Sequence, residues 1–127
     1  MYRIVPVREK HRVVLDYDGV FDYDPRALQR DLKRCAAQVR CPEGTFDFLA
    51  DFSMVRAIPE QNLKTGEHIV RWCRENGLRR CANVMVSATQ RMAVERRTNN
   101  DPRFDFFLTR EEAELWLERP ARIVTGA

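Results

Sequence analysis

Short runs of β-branched and aromatic residues alternate along this chain with stretches whose apolar residues recur at helical spacing. That alternation constrains the fold more than any other feature. Residues 2–7 and 12–18 are two such runs, separated by the polar stretch Arg8-Glu9-Lys10-His11, and read as an antiparallel hairpin closed by Gly19. Asp24-Pro25 supplies a helix N-cap and a proline at the first helical position. Leu28, Leu32, Cys35 and Val39 then recur at helical spacing, which predicts a helix over 25–39, broken by Cys41-Pro42-Glu43-Gly44.

Phe46, Phe48, Ala50 and Phe52 alternate with Asp47, Leu49 and Asp51, the period of a strand. Pro59 opens a second helix carried by Leu63, Ile69, Val70 and Cys73 and stopped at Asn76-Gly77. Gly66 lies inside it and should weaken it by up to about 1 kcal/mol relative to alanine. A strand at 80–86 precedes the capping box Ser87-Ala88-Thr89-Gln90, whose helix ends near Asn99-Asn100-Asp101-Pro102. A short strand at 104–108 precedes a second capping box, Thr109-Arg110-Glu111-Glu112, and a last helix through Leu117.

The order ββαβαβαβα implies an α/β fold: a mixed, mainly parallel sheet with an N-terminal antiparallel hairpin, right-handed crossovers and helices packed on it. The 127 residues suit one domain, placed at 1–119, with 120–127 a loosely ordered tail. The core should include Leu28, Leu32, Phe48, Ala50, Leu63, Val84, Val86 and Leu115, with Trp72 and Trp116 covering its edges.

Composition narrows the function classes. At 44% hydrophobic and 32% charged the chain is too apolar for disorder, and a net charge of +3 is too small to imply nucleic acid. Arg91, Arg96 and Arg97 lack the interleaved aromatics that stack bases, and read as a solvated helix surface. Cys35, Cys41, Cys73 and Cys81 form no C-x-x-C pair, and only His11 and His68 could join them, so neither zinc nor any other cofactor is expected. The opening MYRIVPVREK lacks the apolar centre of a signal peptide, and no apolar run nears the ~20 residues of a membrane span. The expectation is a cytoplasmic protein with reduced thiols.

Three local patterns, in this order of elements, carry a family resemblance. They are Leu15-Asp16-Tyr17-Asp18-Gly19-Val20-Phe21, then Ala50-Asp51-Phe52-Ser53-Met54-Val55, then Arg91-Met92 with Asp101-Pro102-Arg103-Phe104. The second is similar to L-D-[FLM]-[ST]-x-V, and together they resemble the STAS-like (SpoIIAA-like, anti-sigma-factor-antagonist) family over roughly residues 1–118. The resemblance implies a non-catalytic regulatory module that binds a protein partner. It also implies a serine phosphorylated in a D-S-[ST]-G-like turn at a helix start, where the helix N-terminus stabilises the phosphate. Here that turn falls on Pro59-Glu60-Gln61-Asn62, which offers no hydroxyl. Partner binding through Asp51, Ser53, Met54, Arg56, Glu60 and Gln61 should then be constitutive.

Two other readings compete. Val13 to Val20 resembles the haloacid-dehalogenase phosphatase signature D-x-D-G-[TV], in which Asp16 would attack phosphorus, Asp18 would serve as general acid, and both would help hold Mg²⁺. Ser53 and Lys64 could fill two further roles, but no late acidic pair follows an apolar strand. As the second arm of a hairpin, the strand should be half exposed, with Asp16 and Asp18 facing solvent and Val13, Leu15 and Tyr17 inward. The third reading is a binder of small apolar or lipid ligands, for which Phe46, Phe48, Phe52, Phe104, Phe106 and Phe107 could line a pocket, although strand spacing makes them sheet core. Segregated acidic and basic blocks, with the edge strand of an open sheet, also fit a homodimer.

Overall fold

The computed structural model describes residues 2–20 and 24–120. Strands β1 (Tyr2–Val7) and β2 (Arg12–Val20) flank a single 3₁₀ turn. Then follow α1 (Pro25–Val39), β3 (Phe46–Ala57), α2 (Glu60–Glu75), β4 (Leu78–Val84), α3 (Ala88–Thr98), β5 (Phe104–Phe107) and α4 (Arg110–Glu118). Of the tail expected at 120–127, all but Pro120 lies outside the described residues.

The capping chemistry places the helix starts. Asp24 accepts from the Arg26 N–H at 3.0 Å, Ser87 from that of Gln90 at 3.3 Å, and Thr109 from that of Glu112 at 3.2 Å.

The sheet has the order β1-β2-β3-β4-β5, with β1 antiparallel to β2 and the other pairs parallel. Every crossover steps to the next strand in the same direction, so right-handed connections put α1, α2 and α3 on one face. On that face Val13, Leu15, Tyr17, Phe48 and Ala50 pack with Leu28, Leu32, Cys35 and Val39 of α1 and Cys73 of α2. The alternate strand residues, Val14, Leu49, Ala82 and Val84, pack under Ala113 and Leu117 of α4 on the other face.

Three expectations need correction. Strand β2 is not half exposed: it lies between β1 and β3, and at Val13, Val14 and Leu15 both faces are covered. It also continues past Gly19, whose φ of +64° accommodates an irregularity within the strand. Val86 and Leu115 are not core, being 60% and 58% exposed. Leu115 falls between the inward positions of α4, where Ala113, Trp116 and Leu117 hold the i, i+3, i+4 stripe. Leu63 is half-buried, while Leu28, Leu32, Phe48, Ala50 and Val84 are buried as expected. Trp72 and Trp116 pack at core edges against Phe46 and Phe107, with ring centroids 6.1 and 5.4 Å apart.

Candidate functional site

Strand β3 outruns its neighbour. The last β3–β4 pair is Asp51 with Val84, yet β3 continues to Ala57, bonded from there only to β2. The result is a two-stranded ribbon that extends beyond β4 at the carboxyl end of the sheet. Within it Asp16 faces Asp51 but Asp18 faces Met54, so β3 carries one extra residue, a bulge.

The bulge re-aims side chains. Phe52 stacks on Tyr17 with centroids 4.7 Å apart, and Val55 is buried in the same core. Both therefore point to the α1–α3 side, and Ser53 and Met54 between them turn the other way, as do Asp51 and Arg56. Met54 is 68% exposed. Asp51 Oδ1 accepts from the Ser53 N–H at 2.9 Å, fixing the turn into the bulge.

At the start of α4, Arg110 reaches this side of the ribbon. Its Nη1 lies 2.6 Å from Asp16 Oδ1 and 3.6 Å from Asp51 Oδ2, and its Nε lies 3.3 Å from Glu114 Oε1. Burial works against the guanidinium charge, but Asp16 and Glu114 outweigh it and hold its pKa above the ordinary value. Glu60 is exposed on the first turn of α2, in the layer across the sheet, and the Gln61 side chain lies outside the described part. Four of the six residues expected to bind a partner thus share one side of the ribbon, and Glu60 and Gln61 belong to another element.

The same edge exposes two apolar residues that the sequence reading missed. Val86 and Leu108 are each 60% exposed and stand just past the ends of β4 and β5, where the strand register, carried on, sets Val86 beside Ser53 and Leu108 level with Phe52. Each directly precedes a helix N-cap, where an apolar residue usually packs on one four positions past the cap. For Val86 that position is Arg91 and for Leu108 it is the small Ala113, so neither finds a large cover. That mismatch is the signal legible in sequence.

The two aspartates of the phosphatase reading lie on the same side of β2. Asp16 is engaged by Arg110, which offsets the negative charge that a Mg²⁺ site needs, and Asp18 is exposed. Ser53 shares their side, whereas Lys64 sits on α2 across the sheet. Among the described residues no group of three or more His, Cys, Asp or Glu is placed to hold a metal ion.

No protein-family model matches the chain, and neither does any curated protein. Among solved structures, the NMR structure of the protein TM1081 is similar, with a TM-score of 0.55 over 94% of this chain and 88% of that one, at 20% sequence identity. The likeness is one of fold. Among the described residues no helix is long and apolar enough to cross a membrane.

The basic stretch is largely consumed internally. Arg79 grips buried Asp47 with two bonds of 2.8 and 2.6 Å, and Arg80 donates to the Trp116 and Arg119 carbonyls at the end of α4. Arg103 holds Asp101 from one side and Arg74 from the other, keeping that carboxyl well below the usual range.

A second feature lies on the opposite side of the sheet. Under α2 and α3 is a cavity of about 90 Å³, walled by Tyr17, Phe48, Phe52 and Phe104 from the strands and by Leu63, Ile69 and Val70 from α2. It exists because the inward stripe of α2 contains a glycine: a Cβ built on Gly66 meets nothing within 4 Å. Helix α3 adds little apolar cover, with only Thr98 buried along it among the described residues. By the volume dependence of core deletions, such a void forgoes about 2 kcal/mol of packing. Cys73 and Cys81 also line it; burial pushes the Cys73 thiol up to about 12 and Cys81 well above its ordinary value, so both are unreactive near neutral pH. Gly66→Ala should therefore raise stability by about 1 kcal/mol, because helix propensity improves and the new methyl meets no clash. Urea unfolding checks this, and a fall in stability would mean the space is not there.

Proposed function

We propose that this chain is a non-catalytic interaction module of STAS-like type, and that it binds a protein partner along the carboxyl edge of its sheet. What supports the reading is one observation: Met54, Val86 and Leu108, three of the five large apolar side chains exposed among the described residues, stand near or just past the carboxyl ends of three neighbouring strands. Exposed apolar groups gathered at one edge and rimmed by charge mark docking surfaces. The charges are at hand in Arg56, Arg110, Asp16 and Asp51. The start of α2 carries Pro59 as N-cap, with no side-chain cap bond, and acidic Glu60 in its first turn. Without a hydroxyl there, binding proceeds without the family's phosphorylation switch. Four free thiols fit a cytoplasmic setting.

The test is capture of partners by the tagged parent and by the Met54→Asp, Arg56→Glu double variant. The variant should fold normally and lose specific partners by tenfold or more, a loss typical of an apolar anchor placed in a docking patch. If the partner is a second copy, sedimentation at micromolar concentration and low salt should show a dimer that the variant abolishes. Retention of every specific partner by a folded variant would refute the surface, and phosphoserine mapped to Ser53 in cells would refute constitutive binding.

A further inference from the structure

We infer that the partner docks by strand addition: an extended segment of another protein, with an apolar and an acidic residue two positions apart, pairs with β3 where β4 has ended. The inference rests on the docking edge proposed above and specifies what occupies it.

The last β3–β4 pair is Asp51 with Val84, and β3 runs on to Ala57 with only β2 beside it. The Ser53 N–H is held by Asp51 Oδ1 at 2.9 Å. Beyond it, among the described residues, no main-chain bond joins Met54, Val55, Arg56 or Ala57 to a loop or helix. In a strand alternate residues turn their N–H and C=O to opposite sides, so this run presents an open edge towards the space past β4. It spans four residues, as long as the ladder that joins β5 to β4. An apolar patch alone suits a helix or a loop as well as a strand, but a row of open main-chain donors and acceptors is matched by another strand.

The side chains say which strand. Val55 is buried, so Met54 and Arg56 on either side of it share the α4 side of the ribbon, both exposed. Arg56 lays its guanidinium along that surface, with Nη2 3.7 Å from where a Cβ on Gly19 would stand, and it is in no ion pair among the described residues. Directly across an added strand, an apolar residue belongs beside Met54 and an acid beside Arg56. The segment therefore reads apolar-x-acid when parallel to β3 and acid-x-apolar when antiparallel. A second copy does not fit: the run from Ser53 to Ala57 holds no acid, so self-pairing gives Arg56 no counter-charge. Arg56 thus guards the edge against like chains and selects an acidic one, whereas β1, at the rim of the sheet, carries Pro6.

The test is titration with the end-blocked peptide Thr-Asp-Thr-Ile-Thr-Asp-Thr, whose pattern reads the same in both directions. Saturable amide shifts are expected at residues 53–57 by millimolar peptide, with slowed hydrogen exchange there. Methylating the peptide's main-chain nitrogens at even positions or at odd positions should abolish binding in one case and spare it in the other, because only alternate amides face β3. Replacing both acids by Asn should weaken binding about threefold, the worth of a cross-strand ion pair, and Arg56→Glu should reverse the preference in favour of the Lys counterpart. No saturable shift along residues 53–57, or equal effects of the two methylation patterns, would overturn strand addition. If either result came with loss of captured partners by the Met54→Asp, Arg56→Glu variant, the docking edge would stand and only strand addition would fall.

Discussion

Gly77→Ala is expected to be among the most damaging single-methyl changes in the chain. Gly77 ends the turn after α2 with φ +96°, where an L side chain is strained, and a Cβ there would sit 2.3 Å from the Gly44 carbonyl oxygen. The obstructing atom is backbone, and the Phe46 N–H donates to the Gly77 carbonyl at 3.0 Å, so the two turns cannot separate without loosening the amino ends of β3 and β4. Strain and overpacking together should cost about 3–5 kcal/mol. Gly44→Ala is the control: its φ of +86° is equally unfavourable, but nothing lies within 4 Å of the added carbon, so it should cost only about 1 kcal/mol. Urea midpoints at constant slope measure both, and equal losses would show that the crossing of the two turns does not matter.

Leu32→Ala should cost about 2–5 kcal/mol, a large share of the stability of a domain this size. Leu32 is 2% exposed, midway along the α1 stripe formed with Leu28, Cys35, Ala36 and Val39, and α1 covers β1 and β2 from one side. Its neighbours are held by a sheet that cannot collapse into the vacated space, so the cavity term persists. A midpoint shift below a quarter of that loss would mean that Leu32 does not carry the packing of α1.

The elements were legible in the sequence because their signals are local. Helix α1 spans the residues that Asp24-Pro25 and the Leu28, Leu32, Cys35, Val39 spacing predict, and both capping boxes start helices where they should. What escaped depends on partners far along the chain. The alternation of Val14 with Asp16 and Asp18 resembles a strand with one wet face, but Val14 is covered by α4, nearly one hundred residues later. Val86 is the local exception: the position that should cover it is Arg91, five residues on, and that mismatch is open to a reading of the sequence alone. At the candidate site, Met54 and Arg56 could be placed at a strand end from sequence. The bulge that turns Ser53 and Met54 to the same side needs the register with β2, which no single strand encodes.

The late position of α4 has a consequence for synthesis. Each strand of this sheet lies beside its predecessor, so the sheet and the layer formed by α1, α2 and α3 can grow outward in the order in which the chain emerges. Val14, Leu49, Ala82 and Val84, by contrast, stay uncovered until Ala113 and Leu117 arrive. A chain released before residue 110 would therefore present a nearly finished sheet with one adhesive side, and the nine-residue helix α4 is what turns it from an aggregation hazard into a sealed body.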